Sequence, residues 1–400
     1  MPYSKQLTGL SADFAWWLLL PALFLIPFSM AACSLLFSLL LAMLVISVLR
    51  GESLAPLPPF TTWLVAFAAL TLVSTAFSLA PEVSLLDNRE LLVFLLIPVF
   101  QKVINTRRRL RLSLATVLIS GTLSAAVGIF NALRGGISLE HRLHGLTSHW
   151  MTWSGLLMMA FVFFAVWITQ HHDPPLIRRG FILGALLLIL AAILFSLTRS
   201  MWVGIAVSLG IYSVLRRPRV LLALIPLLLA AWFLLPPSVA NRVRSMVDPA
   251  DPTNRDRIHM VYTGWKIFLD HPITGSGPNT INDLYPRYRH PDAIQNNPHL
   301  HNNFLQILAE RGLPAALAMF GFFVSLLVSL FQLWRRGSGQ ARRTAAAALF
   351  VATAFLVSGL FEYNWGDAEI QFLFLFFISL PFVSIMNAAD SPSTSAKETP

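Results

Sequence analysis

Residues 151–170 read MTWSGLLMMAFVFFAVWITQ, twenty positions without one Asp, Glu, Lys or Arg. An α-helix needs about twenty apolar residues to cross the hydrocarbon of a bilayer, because each residue advances it by only about 1.5 Å. This chain repeats the pattern along its length. Windows at roughly 12–29, 31–49, 60–79, 90–104, 111–133, 151–170, 180–198, 200–216, 219–235, 313–334, 343–361 and 369–387 share the character. The reading is an all-α polytopic membrane protein with about twelve transmembrane helices.

Composition points the same way. Of 400 residues, 56% are hydrophobic and 12% are charged, and the mean hydropathy is +0.66. Soluble domains carry about twice that charge, so a soluble globular protein is excluded. The net charge of +10 reads as a topology signal and not as a nucleic-acid footprint. Cys33 is the sole cysteine and lies in an apolar run, which leaves neither a disulfide framework nor a thiolate metal site. The first apolar run begins near Asp13 and a second follows almost at once without a small-residue cleavage site, so it reads as a retained span and not a signal peptide.

Lys and Arg test the threading, because short cytoplasmic loops carry the excess positive charge. With the N-terminus inside, the cytoplasmic segments hold seventeen: Lys5, Arg50, Lys102, Arg107, Arg108, Arg109, Arg111, Arg178, Arg179, Arg216, Arg217, Arg219, Arg335, Arg336, Arg342, Arg343 and Lys397. The opposite short loops hold four, Arg89, Arg134, Arg142 and Arg199. The expected organisation is nine spans in 1–235, a large outer loop in 236–312, three spans in 313–388 and a disordered cytoplasmic tail in 389–400.

The outer segment 236–312 carries five of the ten histidines and eight of the twenty-nine Lys and Arg. Two smaller outer pieces, the loop 134–150 and the acidic loop Glu362 to Glu369, can meet it to form a pocket. Within it Ile258, Val261, Tyr262, Trp265, Phe268 and Leu269 recur at helical spacing, which predicts an amphipathic helix over 255–270 lying at the membrane interface. Arg257 sits on the edge of that stripe. An arginine there either snorkels to the interface or aims its planar fork at a phosphate, which it binds through two parallel hydrogen bonds. Asp270-His271-Pro272 ends the helix, and Gly275-Ser276-Gly277-Pro278-Asn279 makes a tight turn. Its amides either cradle an anion or simply reverse the chain, and we take the second reading.

Pro298-His299-Leu300-His301-Asn302-Asn303-Phe304 closes the segment. His301 is expected to open a short helix that Gly312 and Pro314 end before the next span. Histidine exchanges its proton near neutral pH and suits removal of a proton from an attacking hydroxyl, although a lone histidine is more often structural. His290, His299 and His301 lack a nearby carboxylate pattern or fixed ligand spacing, so no metal is expected. Arg199, in Leu197-Thr198-Arg199-Ser200, falls between two spans, where an arginine either belongs to an ordinary loop or holds a partner such as a lipid phosphate.

The run from Arg257 to Asn279, His301-Asn302, and Glu310-Arg311-Gly312-Leu313 together resemble the signature region of the O-antigen ligase and polymerase superfamily. Thr198-Arg199-Ser200 falls where that family has an outer-face arginine at the end of a span. Arg142-Leu143-His144-Gly145 is similar to its Arg-x-x-Gly element. The chain departs from the ligase pattern at Ala315, where the ligases more often carry Gly, Thr or Tyr.

The resemblance implies a GT-C-like glycosyltransferase of the bacterial inner membrane with a periplasmic active site and neither metal nor cofactor. Its substrates would be undecaprenyl diphosphate-linked O-antigen as donor and lipid A-core as acceptor, with membrane lipids as surroundings. Arg257 and Arg199 would hold the diphosphate and His301 would take the acceptor proton. Arg255, Arg142, Asn302 and His299 are secondary candidates for substrate contacts. Glu362, Asp367 and Glu369 are rival bases, although a solvated acidic loop is the plainer reading of that stretch. Polymerase, protein O-oligosaccharyltransferase and lipid-linked glycan transporter are the alternatives; the last would show broken helices in matching halves, which the sequence lacks.

Overall fold

The computed structural model describes residues 3–136, 142–147, 149–170, 176–216, 237–293 and 295–383, and every regular element among them is a helix. The chain begins with α1 (Tyr3–Leu25) and α2 (Met30–Leu49), and the Ser29 hydroxyl caps α2 by accepting from the Ala32 amide. Next come α3 (Thr61–Ala76), α4 (Pro81–Asp87), a 3-10 stretch Asn88–Leu95 and α5 (Leu96–Val103). The helices α6 (Arg107–Gly135), α7 (Trp150–Thr169), α8 (Leu176–Phe195) and α9 (Arg199–Arg216) follow. The polar segment folds as α10 (Pro237–Arg244), α11 (Pro252–Asp270) and α12 (Ile281–Tyr288). Finally come α13 (Asn303–Arg336), α14 (Gly339–Ser358) and α15 (Ala368–Ser379).

Among the described residues six helices, α2, α6, α7, α8, α13 and α14, are long and apolar enough to cross a membrane, and Ala12–Leu25, Thr61–Ala76 and Ala368–Phe382 are shorter apolar helices. The chain is an all-helical, multi-pass membrane protein. Its interior is made by α7, α14 and α15. Ala345, Ala346, Ala347 and Ala348 of α14 are fully buried, and their small side chains let α7 and α9 lie close against it. Close backbone approach is what drives packing in lipid, where apolar surface alone gains nothing by leaving its solvent. Leu35, Leu49, Leu133 and Leu187 face outward, as lipid-facing residues do.

Trp365, in the loop between α14 and α15, sits among Phe67, Phe94, Phe322, Phe323, Phe355 and Phe374, with ring centroids 6.0–6.4 Å away. This cluster ties α3, α13, α14 and α15 to the loop that carries Glu362. Below it, buried Arg311 donates to Glu310 Oε2 (2.9 Å) and Asp87 Oδ2 (3.2 Å), joining the start of α13 to α4.

Helix α13 breaks where the sequence places the end of a short helix. Gly312 adopts φ 75°, ψ 175°, and a Cβ there would stand 2.1 Å from the Ile273 carbonyl. The break strands carbonyls that a continuous helix would use. Those of Ala309 and Glu310 instead accept from the Ser276 (3.0 Å) and Gly277 (2.8 Å) amides, and the Leu313 amide donates to Pro272 O (2.9 Å). Gly275 fits because a Cβ there would meet Glu310 O at 2.2 Å. The glycine-rich turn is therefore a dock for α13, and its Ser276 and Gly277 amides are engaged there instead of facing an anion.

The helices differ from the expected elements in two places. Window 90–104 is a 3-10 stretch followed by the eight-residue α5, because Pro98 has no N–H and its ring would clash with the carbonyl of Phe94 in a continuous helix. Window 219–235 and the tail lie outside the described residues. Helix α11 extends the expected 255–270 helix to Pro252, capped by Asp251, whose Oδ1 accepts from the Thr253 and Asn254 amides.

Candidate active site

Helix α11 presents two faces. Met260, Thr263, Gly264 and Ile267 pack inward, while Ile258, Val261, Trp265 and Leu269 form an exposed apolar stripe. Met260 and Ile267 join Ile281, Tyr285, Leu300 and Ala309 in a small second core, which holds α11 against α12 and the first turns of α13. That packing brings the edge of α11 beside the residues that precede α13.

His301 occupies the left-handed region (φ 46°), an uncommon conformation for a residue with a side chain. Asn302 then caps α13, its Oδ1 accepting from the Phe304 and Leu305 amides at 3.0 Å and its Nδ2 donating to Leu360 O at 3.0 Å. The helix thus opens after Asn302 and not at His301. Asn303 donates its amide to Gly359 O (2.8 Å), and its Oδ1 accepts from the Trp365 amide (3.0 Å). The histidine turn and the α14–α15 loop are stitched together on both sides of Glu362.

The His301 Nδ1–H donates to Glu362 Oε1 at 2.9 Å, and His299 Nε2 stands 3.6 Å from the same oxygen. The two imidazole centroids are 4.2 Å apart. Glu362 is only 4% exposed, which corrects the reading of 362–369 as a solvated acidic loop. Burial alone would push its carboxyl up, but the His301 and His299 rings, through their charge when protonated and their hydrogen bonds, outweigh that and hold it well below the usual carboxylate range. Asp367 behaves oppositely: burial, resisted by the Thr152 hydroxyl (2.8 Å), raises it to about 7.

His301, Asn302, Arg199 and Arg257 all line one cavity of about 490 Å³, with Val203 and Val261 among its apolar walls. His299 is not on its wall. Arg257 is half-buried and has no hydrogen-bond or ion-pair partner among the described residues. Burial lowers its pKa, opposed by the Glu362, Asp251 and Asp256 carboxylates. Arg199 is instead engaged: Nη1 donates to Ser245 O (2.8 Å) and Oγ (3.0 Å), Nη2 donates to Asn254 Oδ1 (2.9 Å), and Asp251 lies 3.6 Å away. Its guanidinium is buried, the opposite of an ordinary loop arginine. Burial and the Arg242 charge push its pKa down to about 10.

Arg242, which the sequence reading did not single out, donates from Nε to Leu197 O (3.2 Å), and burial with the Arg142 charge brings it to about 10 as well. Arg142 lies over the Trp150 ring (4.9 Å) and feels Arg199 and Arg257 as like charges. Four guanidiniums thus share one electropositive region, with Asp251 and Glu362 as nearby counter-charges. Each remains protonated at neutral pH, so the region favours a polyanion. Arg255 is exposed and off the cavity wall. Asn302 reaches the cavity with its amide occupied as the helix cap.

A carboxylate–histidine pair thus faces a cavity flanked by arginines at one end of the helical bundle, an arrangement whose charge suits polar, anionic ligands. Residues 184–320 match the family model described as O-antigen ligase, which supports membership of the O-antigen ligase/polymerase family. The matched stretch carries Arg199, Arg242, Arg257, His299 and His301; Arg142 and Glu362 lie outside it. A search of curated proteins finds no match. The family's general work is glycosyl transfer of the ligase or polymerase type on lipid-linked polysaccharides.

Proposed function

We propose that the protein is an O-antigen ligase, moving O-antigen polysaccharide from undecaprenyl diphosphate to lipid A-core at the periplasmic face of the inner membrane, with inversion and without metal. The observation that carries the reading is the His301–Glu362 hydrogen bond at the wall of a cavity where Arg257 has an open fork. Glu362 fixes His301 with its proton on Nδ1, so Nε2 offers a lone pair to the cavity. The acceptor hydroxyl oxygen attacks the anomeric carbon, its proton passes to Nε2, and the anomeric C–O bond breaks toward the diphosphate. Glu362 then faces the resulting imidazolium. Arg257 takes the charge gathering on the leaving diphosphate, and Arg142, Arg199 and Arg242 supply the field around it. A single displacement inverts the anomeric centre.

Orientation follows from charge. The expected cytoplasmic clusters Arg216, Arg335 and Arg342 meet at the opposite end of α9, α13 and α14 from His301. This supports a periplasmic site under the positive-inside rule. The test is transfer by purified protein from undecaprenyl diphosphate-linked O-polysaccharide to lipid A-core in detergent with chelator, for the parent and for His301→Ala. Transfer by the parent alone supports the ligase; lengthening of the lipid-linked polymer means a polymerase, glycan on a protein acceptor means an oligosaccharyltransferase, and silence in every assay returns the transporter.

A further inference from the structure

His299, His301 and Glu362 converge more closely than a hydrogen-bonded pair requires. One ligand atom from each lies within 4.8 Å of the other two. The Glu362 Oε1 is 2.9 Å from His301 Nδ1 and 3.6 Å from His299 Nε2, close to the separation of about 3.3 Å between ligands around a tetrahedral zinc ion. The second carboxylate oxygen, Oε2, is buried without a hydrogen-bond partner among the described residues. A buried, unpaired carboxylate oxygen is costly, and a ligand that uses it recovers that cost. Two imidazoles and a carboxylate are the donors that borderline divalent cations select over Mg²⁺ or Ca²⁺.

We propose that these three side chains form a binding site for Zn²⁺ or a like borderline divalent cation, and that filling it silences the protein. The silencing half rests on the glycosyl-transfer reading given above. A metal that takes the Nδ1 lone pair of His301 moves the imidazole proton to Nε2, with no net proton gained or lost. Nε2 then faces the cavity as a donor and cannot accept the acceptor's proton. Glu362 is withdrawn from the histidine at the same time. The nearby Arg257 charge opposes a dication, so affinity falls below that of a structural zinc site, as suits a reversible inhibitor. His299 and His301 are both partly exposed, which leaves the ion a way in.

The test uses the full-length protein, stripped with EDTA and exchanged into chelator-free detergent. Zn²⁺ is titrated against a chromophoric zinc indicator, and transfer is assayed on the same samples at the same free Zn²⁺. About one zinc per chain is expected, with transfer falling as the site fills. His299→Ala removes one ligand and is expected to weaken zinc binding by roughly tenfold or more. Its inhibition curve, read against its own zinc-free rate, is expected to move by the same factor. No stoichiometric zinc, or equal affinity in His299→Ala, overturns the site; stoichiometric zinc with undiminished transfer overturns the silencing. Failure of transfer even in EDTA removes the ligase reading, while the zinc titration still decides the site.

Discussion

The Asn303 amide donates to the Gly359 carbonyl across 2.8 Å, and this bond fixes the distance between His301 and the loop that presents Glu362. A Cβ at position 359 would stand 2.3 Å from Asn303 Nδ2, whose partner atom Oδ1 is itself held by the Trp365 amide. Gly359→Ala is therefore expected to spread the two strands of the site and cut transfer by roughly 100-fold, since misplacement of about 1 Å has that effect. Transfer rate measured beside a monodisperse gel-filtration profile checks it. An undiminished rate would show that the turn yields without moving the histidine.

Glu362→Gln keeps the shape and removes the charge. The amide NH₂ of glutamine can donate to Nδ1, which favours the tautomer with the proton on Nε2 and removes the base. The expected loss in kcat is about 10²- to 10⁴-fold, with donor KM little changed. A variant that retains kcat and loses only KM would make Glu362 a substrate contact instead.

Lysine at the two cavity arginines separates roles that sequence alone treats alike. Arg257→Lys removes an open fork and is expected to lower kcat/KM by about 10- to 100-fold while the unfolding midpoint stays put. Arg199→Lys breaks bonds to Ser245 and Asn254 and is expected to cost roughly 1–3 kcal/mol of stability in addition to activity. Near-full activity of both variants would end the diphosphate clamp.

Asp367 supplies a pH test. Its carboxyl is raised from 3.8 to about 7 in the fold, so the folded chain holds a proton that the unfolded chain gives up. The stability this provides is full below about pH 4 and is lost as pH rises through about 7. Asp367→Asn, which still accepts from Thr152, is expected to gain in midpoint over the parent between about pH 5 and pH 8. A constant offset across that range would clear Asp367 of the effect.

Much of this architecture is written locally. The stripe from Ile258 to Leu269 gives α11 because helical spacing needs no knowledge of distant residues, and the apolar windows give the long helices for the same reason. Arg257 and His301 stand out as polar groups on otherwise apolar ground. Glu362 does not, because what buries it is the arrival of the His301 turn from sixty-one positions earlier. The one local hint is Trp365, an aromatic side chain inside an acidic loop, which the structure shows as the anchor of that loop. Arg242 gave no signal at all: its role depends on the turn at Leu197, whose carbonyl it meets. The glycine-rich turn is legible as a plain reversal, but its docking role is not, since glycine permits close approach by an anion or by another backbone, and here the backbone of α13 is what arrives.

The outward stripe of α11 has a kinetic meaning. Ile258 and Val261 belong both to that exposed apolar row and to the cavity wall, so if α11 lies at the membrane interface as proposed, the cavity opens toward the bilayer. Two amphiphiles reaching such a mouth search a plane and not a volume. Their effective concentration is then a mole fraction in the surface, so adding inert detergent or lipid dilutes them without any change in molarity. On the proposed function, diluting the leaflet is expected to slow turnover even with every side chain in place.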